Sequence, residues 1–150
     1  MKVREIMTKN PACCTPDTSL EKVAQLMCEC DCGEIPIVDS NQTMVPIGVV
    51  TDRDITCRTI ARGRNPLQLT AQTCMSTPAV TVPMDATVEQ CCELMERNQI
   101  RRIPVVDHNG RCCGMVSQAD LALHVAPAET GKMVHDISGR TEAPSLVGAR

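Results

Sequence analysis

The chain repeats itself, and no other feature constrains its fold as tightly. "GVVTDRDI" (48–55) returns as "GMVSQADL" (114–121), and "EIPIVD" (34–39) returns as "RIPVVD" (102–107). The longer stretch "MTKNPACCTPDTSLEKVAQLM" (7–27) matches "MSTPAVTVPMDATVEQCCELM" (75–95). Pro36 and Pro104 are 68 residues apart, Gly48 and Gly114 are 66 apart, and the two-residue drift falls in the loop between them. Self-similarity at a near-constant period over most of 150 residues means one supersecondary unit built twice. The expected organisation is a first repeat over 1–62, a linker over 63–70 ("GRNPLQLT"), a second repeat over 71–125 and a tail over 126–150.

Each repeat reads as β-α-β-β-α, which makes the fold class α/β (α+β). A short extended segment follows a proline ("ACCT", "AVTV"). Asp17-Thr18-Ser19 and Asp85-Ala86-Thr87 then resemble helix starts, with Glu21 and Glu89 in the first turn. Leu20, Val23, Ala24 and Met27 recur at i, i+3, i+4 and i+7, and so do Val88, Cys91, Cys92 and Met95. "IPIVD" and "IPVVD" are β-branched runs that reach a turn at Ser40-Asn41 or His108-Asn109-Gly110. "IGVVT" and "GMVS" return as strands, and "DRDITCRTIA" and "QADLALHVA" close each repeat as helices. A three-stranded sheet of this size cannot bury its apolar face alone, so the two copies are expected to pack sheet-to-sheet around a pseudo-two-fold axis. Matching strand ends would then line two related clefts. In the tail, Met133, Val134 and Ile137 suit one short amphipathic helix, with the remainder polar and flexible.

Composition narrows the function. Net charge is −3, the isoelectric point is about 5.6, and no basic run or stacking aromatic supports a nucleic-acid surface. Phe, Tyr and Trp are all absent, so Met, Cys and aliphatic side chains must fill the core. No apolar run approaches the roughly 20 residues of a membrane span. The N-terminus lacks the apolar stretch of a signal peptide, which makes the cytoplasm the expected location. No nucleophile carries a local base signature, and there is no phosphate-cradling glycine loop or carboxylate metal cluster, so no enzyme activity is expected.

The ordered set "M-x-x-P", apolar helix, "I-P-V-V-D" and "G-hydrophobic-hydrophobic-T/S-x-x-D", present twice, resembles the cystathionine-β-synthase-type (CBS) domain in tandem, and the chain is similar to the small stand-alone bacterial members. The resemblance implies a regulatory module that needs no cofactor for catalysis. Such pairs bind adenosine-containing ligands (AMP, ADP, ATP and similar) in clefts between the repeats. They signal by conformational change to a protein partner, here unknown, or within a homodimer formed through CBS–CBS contacts. Carried over residue by residue, one cleft would use Val49, Thr51, Arg53 and Asp54 with Pro78, Ala79, Ile100, Arg101 and Arg102. The other would use Met115, Ser117 and Asp120 with Pro11, Ala12, Cys32 and Gly33. Arg53, Arg101 and Arg102 are the phosphate candidates, and the first repeat has Gly33 and Glu34 where the second has the arginine pair.

The chemistry of the residues fits that role. A carboxylate can accept both ribose hydroxyls, and a hydroxyl three residues earlier can donate to the same ligand. The amides of the helix starting there favour an anion. Simpler readings stand beside these: Asp54 and Asp120 as first-turn acids, Thr51 and Ser117 as N-caps, and Arg101-Arg102 as a solvated pair. The 11 cysteines read mostly as small core residues, because Cys32, Cys91, Cys92, Cys113 and Cys13 align with apolar positions of the other repeat. Cys28 and Cys30 align with polar positions. A thiol-based metal or redox sensor on Cys28, Cys30 and Cys32 is therefore the alternative, and a structural dimerisation unit with non-binding clefts is a third. His108, His124 and His135 form no ligand spacing.

Overall fold

The computed structural model describes residues 1–139. In chain order the elements are α1 (Val3–Ile6), β1 (Thr8–Lys9), α2 (Leu20–Glu29), β2 (Glu34–Val38), β3 (Pro46–Thr51), α3 (Asp52–Arg58), α4 (Ala71–Cys74), β4 (Val82–Pro83), α5 (Val88–Asn98), β5 (Arg102–Val106), β6 (Cys112–Ser117), α6 (Gln118–Ala122) and α7 (Pro127–Ser138). Two 3₁₀ turns, Ile60–Arg62 and Pro66–Gln68, follow α3. The architecture is mixed α/β, as the repeat pattern predicts.

The described residues divide into two compact units that cut across the repeats. A continuous unit spans 12–79, and a split unit joins 1–11 to 80–139. Each unit therefore takes its opening segment from the other repeat. In the split unit the Val3 and Arg4 amides donate to the Ala86 and Met84 carbonyls at 2.9 and 3.0 Å, and Val3 and Ile6 enter the core. In the continuous unit the Ala71 and Gln72 amides donate to Thr18 and Pro16 at 2.8 and 2.9 Å, and Ala71 and Cys74 enter the core. The corresponding pieces, "VREIM" and "AQTCM", thus do the same work in exchanged places.

Capping sets the helix starts. Ser19 Oγ accepts from the Lys22 amide, and Thr87 and Gln90 form a reciprocal capping box. Leu20, Val23 and Met27 of α2 are buried, as are Val88, Cys91 and Met95 of α5, which are the faces the sequence spacing selects. The helix ends match as well. Asp31 and Gln99 adopt positive φ, and the Cys32 and Ile100 amides donate to Met27 and Met95 across Schellman-type turns. That turn presses Cys32 and Ile100 back against their cores, which accounts for the alignment of a cysteine with an isoleucine.

The hairpins β2–β3 and β5–β6 are antiparallel, with Pro36 opposite Val49 and Pro104 opposite Met115. β4 adds in parallel to β5, whereas in the continuous unit that strand shrinks to a single Cys14–Ile37 bridge. A further edge, not evident in the sequence, is β1 on β6 in the split unit, matched by a single Ser76–Val49 bridge in the other. One face of each hairpin carries the buried Ile35, Ile37 and Val50, or Ile103, Val105 and Val116, against the helices. Strand alternation puts Glu34, Pro36, Val49 and Thr51, or Arg102, Pro104, Met115 and Ser117, on the opposite face. Helix α7 buries Met133 and Ile137 against the split unit's core, while Val134 is exposed. The tail from residue 140 onward lies outside the described residues.

Candidate functional site: two matching strand ends

Both copies of the repeated motif build the same local object. β3 ends at Thr51 and α3 begins at once, and β6 ends at Ser117 where α6 begins. Thr51 Oγ1 accepts from the Asp54 amide at 3.0 Å while Asp54 Oδ2 accepts from the Thr51 amide at 3.0 Å. Ser117 and Asp120 repeat this at 3.1 and 2.8 Å, and the Ser117 hydroxyl also donates to Asp120 Oδ2 at 2.8 Å. The spacing of hydroxyl and acid is therefore a capping box, and the capping reading of Thr51 and Ser117 holds. The box does not exhaust the carboxylates. Each offers about four lone-pair sites on two oxygens, and the box uses those of Oδ2. Asp120 has no cation partner among the described residues, whereas Asp54 Oδ1 lies 3.7 Å from Arg58 Nε.

The glycine of the motif has its own reason. A Cβ on Gly48 would lie 2.6 Å from the Ser76 carbonyl oxygen, because the Ser76–Val49 bridge closes at 2.8 and 3.0 Å there. At Gly114 the Met7 side chain occupies the corresponding space, its Cγ 2.9 Å from such a Cβ. Backbone cannot yield as a methionine can. Gly48→Ala is thus expected to cost about 1–3 kcal/mol and Gly114→Ala less. Urea denaturation of the two variants checks the order, and an equal or larger loss for Gly114→Ala contradicts it.

These close approaches seat a chain segment beside each strand. In the continuous unit Ser76 is opposite Val49 and the Ala79 amide donates to the Ile47 carbonyl at 3.2 Å, so Pro78 and Ala79 lie along the Ile47–Gly48 stretch of β3. In the split unit Thr8 is opposite Met115 and the Asn10 amide donates to the Cys113 carbonyl at 3.1 Å, so the segment that leads into Pro11 runs along β6 from Met115 toward its start. Sequence reasoning missed Arg58. Its guanidinium donates to the Cys74 and Met75 carbonyls at 3.0 and 3.2 Å while facing Asp54, so it ties α3 to the end of α4. The signal was an acid and a base four residues apart on a helix. His124 takes the corresponding place in the second copy, its Nδ1 2.8 Å from the Asp120 carbonyl. Burial, and then the Asp54 carboxylate, push the Cys74 thiol up, against the pull of Arg58 and Arg64.

The model of the CBS domain matches this chain twice, over residues 3–58 and 71–126. The chain belongs to the CBS domain family. The uncharacterized protein MK0525 of Methanopyrus kandleri is 36% identical over 124 residues, 83% of this CBS pair and 59% of that protein, so this chain spans less than two thirds of it. The CBS domain-containing protein YhcV of Bacillus subtilis is 36% identical over 137 residues, 91% of this chain and 94% of YhcV. The structure of Hypoxic Response Protein I with two coordinated zinc ions aligns at TM-score 0.74 and 32% identity, covering 84% of this chain and all (100%) of that one. The CBS domain pair of MJ0100, solved with 5′-methylthioadenosine and S-adenosyl-L-methionine, aligns at 0.72 and 24% identity, over 88% and 98% of the two chains, a likeness of fold.

The CBS pair distributes the residues of the two expected clefts over its units as follows. Val49, Thr51, Arg53, Asp54, Pro78 and Ala79 belong to the continuous unit, with Ala12, Cys32 and Gly33. Met115, Ser117, Asp120 and Pro11 belong to the split unit, with Ile100, Arg101 and Arg102. Register makes the neighbours explicit. Arg102 pairs with Ser117, and the Arg101 carbonyl accepts from the Gln118 amide at 2.8 Å. Glu34 pairs with Thr51, and the Gly33 carbonyl accepts from the Asp52 amide at 3.0 Å.

Among the cysteines, Cys91 is buried and Cys28 and Cys30 are exposed, in line with their alignment; Cys32, Cys92 and Cys113 are half-buried against the cores, Cys13 is half-buried outside them, and Cys14, Cys74 and Cys112 are buried as well. Among the described residues no three His, Cys, Asp or Glu side chains gather as a metal-ligand set. No helix among them is long and apolar enough to cross a membrane.

Proposed function

We propose that this CBS pair is a regulatory module that binds an adenosine-containing nucleotide at the ends of β3 and β6. Thr51 with Asp54, and Ser117 with Asp120, would hold the ribose, and Val49 with Pro78-Ala79, and Met115 with Pro11, would supply apolar contact. One observation supports this above others: the same hydroxyl–carboxylate pair ends the same strand in both units, with a proline-bearing segment hydrogen-bonded beside each. Family membership and the adenosine compounds carried by the MJ0100 pair agree with it. A ligand that prefers one conformer shifts the population toward it, and so occupancy becomes a signal to a protein partner or to a homodimer.

Thermal melts with AMP, ADP, ATP and S-adenosylmethionine test the reading. A ligand at 100 times its Kd adds about 2.7 kcal/mol, a shift of several degrees for a chain of this size. Asp54→Asn with Asp120→Asn is the variant of choice, because the amide oxygen can still accept the capping hydrogen bond while the charge is lost. We expect the shift to vanish in it. No shift with any of the compounds at millimolar concentration refutes the reading and favours a purely structural dimerisation unit.

The zinc-bearing relative motivates a second reading, a thiol-based metal or redox sensor using Cys28, Cys30 and Cys32, for which the three thiols, not gathered as a ligand set here, would have to converge. Metal analysis of anaerobically purified protein separates the two: stoichiometric metal, lost when these cysteines are replaced, selects it.

A further inference from the structure

We propose that an open cavity bordered by Asp17 and Asp39 binds a guanidinium group. The cavity lies within the continuous unit, measures about 430 Å³, and is lined by polar side chains, Asp17, Asp39, Ser40, Asn41 and Gln72 among them. That volume suits a small organic group and far exceeds the needs of a bare ion. Glu34 pairs with Thr51 at one end of β2, and Asp39 follows the other end. Roughly 13 Å of strand therefore separates the cavity from Thr51, and its ligand is independent of the nucleotide reading. Asp39 Oδ1 accepts from the Ser40 and Val45 amides at 2.7 and 2.9 Å and from the Thr43 hydroxyl at 2.6 Å. These bonds, Thr43 foremost, hold the Asp39 carboxyl below the ordinary carboxylate range, so it is ionised at neutral pH. Asp17 Oδ1 accepts from the Thr15 hydroxyl. Neither carboxylate has an ion pair among the described residues.

The sister unit shows what such a carboxylate pairs with. Asp85 stands two residues before the N-cap of α5, as Asp17 does before that of α2. The Arg4 guanidinium pairs with Asp85 Oδ1, and His108 Nε2 lies 2.9 Å from Oδ2. Arg4 corresponds to Gln72, and the backbone places the two alike: the Arg4 amide donates to the Met84 carbonyl at 3.0 Å and the Gln72 amide to the Pro16 carbonyl at 2.9 Å. His108 follows Asp107 as Ser40 follows Asp39. The continuous unit thus keeps the carboxylate, replaces both nitrogen bases with a neutral amide and a hydroxyl, and has a cavity in their place. A guanidinium supplies the missing charge. Its planar fork of N–H donors suits the two carboxylates and the side-chain carbonyl oxygens of Asn41 and Gln72.

Amide chemical shifts of the full chain during titration with N-acetyl-arginine amide provide the test. N-acetyl-citrulline amide, of nearly the same shape but uncharged, is the control. We expect saturable shifts at Asp17, Asp39, Asn41 and Gln72 with a Kd on the order of 1 mM, as suits an exposed ion pair, and none with the control. Asp17→Asn keeps an oxygen for the Thr15 hydroxyl and should weaken binding by roughly fivefold or more. Gln72→Arg with Ser40→His installs the sister unit's nitrogen bases and should abolish binding. Two further arms distinguish the source of the group, and both outcomes uphold the site. A capped Gly-Arg-Gly peptide that binds as well as the capped amino acid identifies an arginine side chain of a partner. Agmatine that binds where the peptide does not identifies a free small molecule. Equal shifts with the citrulline control overturn the proposal, as does undiminished binding in the Gln72→Arg/Ser40→His variant. An unsaturable drift shared by carboxylates across the surface overturns it too.

Discussion

Ile6→Ala will loosen the sheet of the second repeat, although Ile6 opens the first. Its side chain is 7% exposed and packs with Val82, Val88, Met95, Ile103 and Val116. Truncating a buried isoleucine costs about 2–5 kcal/mol, because the transfer energy is lost and a cavity remains. That is a large share of the 5–15 kcal/mol typical of a whole domain. Urea denaturation gives the size, and amide hydrogen exchange gives the place. Protection should fall first in Ile103–Val106 and Cys112–Ser117, and later in Ile35–Val38. The reverse order would mean that Ile6 serves its own repeat.

Alkaline pH will destabilise the protein through Cys91. Burial, with the Cys92 thiol beside it, pushes Cys91 up to about 12 from the ordinary 9.0. Burial and then Glu96, Glu89 and Glu129 push Cys92 up to about 11. In the unfolded chain both thiols ionise near 9. Above that pH the unfolded state holds fewer protons than the native one, so the unfolding free energy falls as pH rises. The contribution is whole below pH 9 and disappears between about 9 and 12. For the fully buried Cys91 the slope approaches about 1.4 kcal/mol per pH unit. Urea midpoints from pH 8 to 11 in the presence of reductant should therefore decline, and less steeply in Cys91→Ala. Equal slopes would show that the native thiol ionises freely.

The parts of the fold written in long periodic segments were legible in the sequence. The buried faces of α2 and α5 follow the 3.6-residue spacing of Leu20, Val23 and Met27 and of Val88, Cys91 and Met95, and their caps are the hydroxyl residues Ser19 and Thr87. The exchange of opening segments was not legible. Four-residue helices such as VREI and AQTC carry too few positions to show a period, and their partners lie tens of residues away. β1 and β4 have two residues each, too few for alternation to register. At the site, the spacing of Thr51 with Asp54 announced a hydroxyl and a carboxylate working together, but a capping box and a ligand grip need the same spacing. Arg101 and Arg102 could be recognised as unusual from the repeat comparison. Which strand end they flank depends on the register of β5 on β6, which no single stretch of sequence encodes.

The traded segments bear on how such a chain could have arisen. A lone repeat holding residues equivalent to 1–62 would fold its α2-type helix and hairpin over a core lacking the piece that Ala71 and Cys74 supply. A single-repeat ancestor could complete itself by lending its N-terminal helix to a second copy and borrowing one in return. Gene fusion would then have turned an exchange between two molecules into one within a chain. It would have freed the two halves to diverge, as Glu34 and Arg102 have, without breaking the reciprocity that lets either half fold.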